Sequence, residues 1–216
     1  IYDFFKSDNS LKKIKIIAPS KLAGRLEGSK EFAKKFMERY NIPTAKHGTF
    51  TRDNIDQAYM FLDNMSSPYV LKADGLAGGK GVLIIHDLEE AKQELRSMIF
   101  DKKFGESSSK VVIEEFLDGI ELSCFVLTDG NNYKILPFAK DYKKIGEADT
   151  GLNTGGMGAI SPVVFLDDVF LEKIEERVIK PTINGIMKEN MEYMGIVFIG
   201  LIKVNEDPYC LLYTSP

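Results

Sequence analysis

The stretch KADGLAGGKGV at residues 72–82 sets Gly75, Gly78, Gly79 and Gly81 beside Lys72 and Lys80, between runs that read as strand ends. Bare backbone next to ammonium groups suits an anion, because close-approaching N–H groups and lysine side chains both neutralise phosphate charge. Two familiar phosphate loops are excluded by spacing. A Walker A loop requires Gly six positions before its Lys and Ser or Thr after it, whereas Lys80 has Asp74 and Gly81 in those places. A dinucleotide fingerprint requires a third Gly where Ile84 stands. What is left is a different phosphate loop, or a glycine-rich hairpin without a ligand.

The flanks read as a hairpin, with strands at 68–72 and 82–86. Asp87 with Glu90 three residues on is a capping box, and Leu88, Ala91, Leu95, Met98 and Ile99 form the apolar stripe of the helix it opens. That helix is predicted to cover the hairpin. Upstream, KIKIIA at 13–18 reads as a short strand stopped by Pro19, and Ser20 as the N-cap of a helical region towards Tyr40, with Phe32, Phe36 and Tyr40 on one face. Downstream, 110–117, 121–127 and 133–138 read as strands, with a turn at Asp129-Gly130-Asn131. The run GESSS at 105–109 reads as an exposed loop, 167–189 as a helix containing Pro181, and 195–204 as an apolar strand. The pattern predicts an α/β chain of two α+β lobes, a small one over 44–109 and a larger one from 110 on. Ligands often bind between such lobes.

Composition narrows the function classes. The 216 residues carry a net charge of −4 without a long block of either sign, which argues against nucleic-acid or membrane-surface partners. Cys124 and Cys210 lie far apart, without CxxC spacing, so neither a disulfide scaffold nor a zinc site is indicated and a reducing cytoplasm is expected. His47 and His86 do not sit with acids at ligand spacing. No apolar run approaches the roughly 20 residues of a membrane span, and IYDFFKSDNS lacks the parts of a signal peptide. A start at Ile1 points to a piece of a longer protein.

Four segments, LEGSKEF at 26–32, VLKADGLAGGKGV at 70–82, VVIEEFLDGIELSCF at 111–125 and DTGLNTGGMGAISP at 149–162, stand in this order and spacing. Together they resemble the phosphoribosylamine–glycine ligase family (glycinamide ribonucleotide synthetases), ATP-grasp enzymes of purine synthesis. The resemblance covers roughly residues 19–209. It implies an ATP-grasp fold in which two lobes close on ATP and the loop at 73–81 folds over the triphosphate. It further implies a remnant of an N-terminal substrate lobe at 1–19, a connecting helical region at 20–43, a small ATP-grasp lobe at 44–109 and a truncated large lobe at 110–216.

Site residues follow from the match, each against a plainer reading. Lys72, at the mouth of the loop, would contact phosphate and act in catalysis, where otherwise it is a surface lysine. Lys30 matches the second nucleotide-facing lysine; without the match, Lys30, Glu31 and Lys34 are a solvated helix face. Lys80 would reach phosphate or stay solvated, and Gly78, Gly79 and Gly81 would let backbone approach and the loop open. Glu114, Glu115, Phe116 and Leu117 match the hinge strand that pairs with the adenine edge; adjacent strand residues face opposite ways, so at most one of the two acids faces the nucleotide. Glu121 matches the acid that takes the ribose hydroxyls, against an exposed strand carboxylate. Asp149, Asn153, Thr154, Gly155 and Gly156 would form a catalytic loop, with Asp141, Lys143, Lys144 and Met157 beside the sugar-phosphate substrate, against an inert surface loop. The family more often shows His, Arg and Pro where this chain has Tyr142, Lys144 and Leu152, and Lys144 lacks the guanidinium fork.

The resemblance implies ATP-dependent ligation of glycine to 5-phosphoribosylamine, with Mg²⁺ (or Mn²⁺) expected for the full-length enzyme. The family binds that metal through Glu and Asn two residues apart, where this chain has Leu212 and Thr214. A hard cation wants oxygen ligands and leucine offers none, so no metal ligand is assigned and the chain as written is expected to be inactive. Two rivals stay open. One is an ATP-binding module without catalysis; the other is an ATP-grasp ligase for a different carboxylate and amine, against which NTGGMGA at 153–159 weighs.

Overall fold

The computed structural model describes residues 1–78, 80–147 and 150–214, with only the backbone described at Leu152, Asn153, Gly155 and Thr214. The chain divides into two compact units: Arg25–Glu38 with Thr44–Asp118, and Ile1–Gly24 with Arg39–Pro43 and Gly119–Pro216.

The unit that contains the glycine loop is built on a four-stranded antiparallel sheet in the order β1-β4-β2-β3, from β1 (His47–Thr51), β2 (Tyr69–Ala73), β3 (Val82–Ile85) and β4 (Lys110–Glu115). Strand alternation decides its two faces. Tyr69, Leu71, Ala73, Val111 and Ile113 point into a core closed by Ala58 and Leu62 of α4 (Ile55–Asp63) and by Ala91, Leu95, Met98 and Ile99 of α5 (Leu88–Phe100). The intervening Lys72, Val112 and Glu114 therefore face the opposite way, towards α3 (Lys30–Arg39). The Asp87 carboxylate accepts the Glu90 N–H at 2.8 Å and starts α5 as expected.

The helical region before β1 is not continuous. It comprises α2 (Arg25–Gly28) and α3, separated at Ser29, whose hydroxyl accepts the Phe32 N–H at 3.2 Å as the N-cap of α3. β4 stops at Glu115, two residues before the predicted end. The serine-rich run is not a plain exposed loop, since Gly105–Ser108 forms a 3₁₀ turn with Ser108 fully buried and its hydroxyl on the Gly105 carbonyl.

The other unit holds a second antiparallel sheet in the order β10-β9-β5-β6, from β5 (Ile120–Thr128), β6 (Tyr133–Ile135), β9 (Gly195–Val204) and β10 (Asp207–Thr214). α6 (Asp168–Ile174) and α7 (Lys180–Lys188) are joined by a π turn at Glu175–Ile179. Pro181 has no N–H for the carbonyl four residues back, and the widened turn before it accommodates that loss. Phe170, Ile174, Val178, Ile179, Ile183 and Ile186 are buried along this helical run, and the Thr182 hydroxyl lies 3.0 Å from that of Tyr213 on β10. α1 (Tyr2–Ser7) begins the unit, and Cys124 and Cys210 are both buried and form no disulfide. Residues 13–18 are not a strand: Ile14 and Ile17 are half or more exposed, and only Pro19 makes a single bridge, to Tyr193. The alternation of Lys and Ile meets the period of a strand, but among the described residues it pairs with no sheet.

A two-stranded ribbon completes this unit, from β7 (Lys140–Gly146) and β8 (Thr150–Ile160). The glycine-rich stretch expected as a loop is mostly this strand β8. Its register against β7 shifts on both sides of Lys144, and Gly151, Gly156 and Gly158 take positive φ of 85°, 132° and 158°, backbone that side chains disfavour. Among the described residues no helix is long and apolar enough to cross a membrane.

Candidate functional site

The charged face of the first sheet gathers the site. Lys72 on β2 and Glu114 on β4 are diagonal neighbours on one face, and the Lys72 Nζ lies 3.0 Å from Glu114 Oε2. The same oxygen lies 2.9 Å from Nζ of Lys34, which arrives from α3 and also donates to Thr44 Oγ1 at 2.7 Å. Lys34 and Glu114 are each 2 % exposed. Glu114 Oε1 is buried and has no hydrogen-bond partner among the described residues. Burial pushes the Glu114 pKa up, but Lys72 and Lys34 together outweigh it and hold the carboxyl below its ordinary value. The acid is therefore ionised at neutral pH, with both ammoniums on one oxygen and no partner on the other among the described residues.

Lys30 opens α3 and turns back over the base of the glycine loop, its Nζ donating to the Ala73 carbonyl at 2.7 Å and, at the longer distance of 3.3 Å, to the Gly75 carbonyl. Burial first, then Lys72, lower its pKa, against the pull of Asp74 and Glu114. Asp74 is the anchor of the arrangement. Its carboxylate accepts the Glu31 N–H at 2.7 Å and the Ser29 hydroxyl at 3.0 Å, while its own carbonyl accepts the Lys30 N–H at 3.1 Å. One loop residue thus caps α3 and aims Lys30. The loop leaves this base through contacts that need bare backbone: a Cβ on Gly75 would lie 2.9 Å from the Ser107 hydroxyl, and one on Gly81 would lie 2.7 Å from Ala77 Cβ. Gly78 has φ of 57° and open space around it, and Lys80 is exposed. Gly79 lies outside the described residues.

The structure thus brings Lys30, Lys72, Glu114 and the base of the loop together on one unit. Of the hinge acids, Glu114 faces inward, and Glu115 on the opposite face accepts the Lys46 N–H at 2.8 Å. Phe116 is exposed and Leu117 half-buried, both beyond the end of β4.

The remaining candidates belong to the other unit. Glu121 is exposed on β5 opposite Ile202. On the ribbon, Lys143 Nζ is 3.3 Å from Asp141 Oδ2, and Lys144 pairs by backbone with Asn153. The Thr154 hydroxyl donates to the Lys143 carbonyl at 2.8 Å and accepts the Gly156 N–H at 3.1 Å. Met157 is exposed. Asp149 lies outside the described residues, and Asn153 and Gly155 are described by backbone alone, as part of β8.

Reading the sequence missed Lys34, Ser29 and Asp74. Lys34 had a signal: with Lys30, Ala33 and Met37 it occupies the i, i+3, i+4, i+7 positions that a buried helix face uses, and Ala33 and Met37 are buried. The Ser29–Asp74 tie spans 45 residues and leaves no local mark.

Residues 28–215 match the family described as phosphoribosylglycinamide synthetase, ATP-grasp (A) domain. The phosphoribosylamine–glycine ligase of Fusobacterium nucleatum subsp. nucleatum is 45% identical over 215 residues, covering 99% of this chain and 49% of that protein. That of Pasteurella multocida is 46% identical over 189 residues, 88% of this chain and 44% of that protein. The chain spans about half the length of the curated relatives it matches. Among solved structures, the phosphoribosylamine–glycine ligase of Thermotoga maritima superposes with a TM-score of 0.85 at 39% identity, covering 99% of this chain and 53% of that one. A D-alanine–D-alanine ligase from Bacillus anthracis, complexed with ATP, superposes with a TM-score of 0.65 at 20% identity over 95% of this chain and 61% of that one, a likeness of fold alone.

Proposed function

From the chain's membership in the phosphoribosylglycinamide synthetase ATP-grasp family, which the match over residues 28–215 shows, we propose that it supplies the ATP-binding part of a phosphoribosylamine–glycine ligase of purine synthesis. The observation that carries this reading is the buried Lys34–Glu114–Lys72 cluster with Glu114 Oε1 unpartnered among the described residues, Lys72 standing on β2 directly before the glycine loop. ATP fits what the cluster lacks. Its exocyclic amine is a donor for a lone carboxylate oxygen, and its phosphates are anions for Lys72 and for Lys30. Gly78, Gly79, Lys80 and Gly81 cover the phosphates, the backbone of Glu115, Phe116 and Leu117 lines the base, and Glu121 takes the ribose hydroxyls.

In the proposed reaction the γ-phosphate passes from ATP to the carboxylate of glycine, releasing ADP and forming an acyl phosphate. The amine of 5-phosphoribosylamine then attacks the acyl carbon and phosphate leaves, giving glycinamide ribonucleotide. Charge stays on phosphoryl oxygens throughout, so the protein's work is positioning and electrostatics. Lys72 and Lys30 hold that charge, and the ribbon residues Asp141, Lys143, Lys144, Asn153, Thr154, Gly155, Gly156 and Met157, with Asp149, hold the substrates. A reducing cytoplasm is the proposed compartment, in keeping with two buried cysteines that form no disulfide.

The described residues do not fit a magnesium site. Among those described, no group of three or more His, Cys, Asp or Glu is placed to hold a metal ion, and Leu212, where the family has its Glu, is a part-exposed hydrocarbon on β10. No step above is routed through a metal. Leu212 favours a second reading, an ATP-binding module without ligase chemistry. The test is release of ADP and phosphate on addition of glycine and 5-phosphoribosylamine, by this chain and by one extended to the length of its relatives. Glycine-dependent turnover by the longer chain supports the ligase; ATP binding without turnover in both supports the module. Equal turnover with another carboxylate would sink the glycine assignment.

A further inference from the structure

The role of Lys34 goes beyond the reading above and rests on it. A fully buried lysine is costly to desolvate and is kept only where it is well paired. Lys34 reaches its partner from another element: it leaves the inner face of α3 and meets the same Glu114 oxygen that Lys72 meets, at 2.9 Å against 3.0 Å. Lys72 and Glu114 alone would form a neutral pair, and the carboxylate would cancel most of the attraction that Lys72 exerts on an anion. Two ammoniums against one carboxylate leave one positive charge. The Lys34 ammonium also donates to Thr44 Oγ1 at 2.7 Å, which fixes its position. Lys72 is the more open of the two, 12 % exposed against 2 %, so the surplus charge is offered through Lys72.

The geometry points to Lys34 as a positioning residue that neutralises Glu114 and thereby leaves Lys72 electrostatically available to the ATP phosphates. It touches no substrate itself. The competing account makes Lys34 a tether that only fixes α3 to the sheet. The two separate on the ratio of affinities for ATP and for adenosine, since a lost tether weakens both ligands alike whereas a lost charge weakens only the phosphate-bearing one.

The experiment is calorimetric titration of the chain with ATP and with adenosine, for the parent and three variants. Lys34→Met is expected to lower the ATP-to-adenosine ratio roughly tenfold, about one unit charge in a partly screened site. Lys34→Met/Glu114→Gln, which again leaves one positive charge, is expected to return the ratio to within about threefold of the parent. Glu114→Gln alone leaves both ammoniums uncompensated and is expected to raise it; this variant decides the matter if Lys34→Met does not fold. An unchanged ratio in Lys34→Met, a fall that the double variant does not reverse, or a fall in Glu114→Gln would each overturn the inference. A folded parent that binds adenosine but not ATP would overturn the proposed function itself, and this inference with it.

Discussion

The two regions that carry charged candidate residues are built in opposite ways. On the first sheet, Glu114 and Lys34 are buried and Lys72 nearly so, Lys30 is held by two carbonyls, and Asp74 ties the loop base to α3. On the β7–β8 ribbon, Lys143 and Met157 are exposed, and the Thr154 hydroxyl bonds to the Lys143 carbonyl and the Gly156 N–H of the ribbon itself. The first region is organised before any ligand arrives, so little ordering cost remains to be met on binding. The second is an exposed bulged ribbon. The comparison teaches where the chain has committed its polar groups in advance: to one face of the first sheet, which is the face proposed to meet the phosphates of ATP.

The largest effect that could break this contrast is on stability. Glu114→Ala leaves two ammoniums without their shared carboxylate and is expected to destabilise its unit by about 3–5 kcal/mol. Lys143→Ala, on the ribbon, is expected to stay within about 0.5 kcal/mol of the parent. Urea denaturation of both variants checks this, and similar losses at the two positions would erase the distinction. A core substitution gives a reference: Leu95→Ala, at a site with no exposure, is expected to cost about 2–5 kcal/mol.

Next in size is the acid limb of stability. The Glu114 pKa is lowered in the folded chain relative to its ordinary value of 4.5, so the folded state holds its proton less tightly than the unfolded one. Its stabilisation is therefore fully present above about pH 4.5 and is lost as pH falls through the lower folded value. Glu114→Gln is expected to flatten that part of the stability–pH curve, and a slope identical to the parent's would contradict it. A smaller alkaline effect sharpens the same contrast. Because the Lys30 pKa is lowered from 10.5, ATP affinity is expected to begin falling at a lower pH than titration of an ordinary lysine would give, and Lys30→Arg is expected to move that limb upward.

The smallest expected effect lies on the ribbon. Thr154→Ala removes the hydroxyl that joins the Lys143 carbonyl to the Gly156 N–H and is expected to cost about 0.5–1.5 kcal/mol locally. Amide hydrogen exchange along β8 would show it as faster exchange there, with the first sheet unaffected.

Much of the fold was legible because local period and tertiary burial agree. The hairpin of β2 and β3, the Asp87 cap, the α5 stripe and β9 all carry patterns that their final surroundings reward. Where they disagree, the reading went astray. Residues 13–18 alternate like a strand yet pair with no sheet beyond Pro19, and the helical region before β1 breaks because Asp74, far along the chain, takes hold of Ser29. The same holds at the site. Lys72 and Lys30 were marked by motif, but Lys34 looked like one more solvated lysine, because helical period alone does not reveal a carboxylate waiting 80 residues away.

The most direct test of the central claim, that the Lys30–Lys72–Glu114 face binds the phosphates of ATP, is calorimetric titration of the 216-residue chain with ATP beside its Lys72→Ala variant, without added metal. The account predicts saturable binding by the parent and at least a roughly tenfold loss in the variant. Equal binding by the two folded proteins would contradict it, because ATP would then be held by something other than the face described.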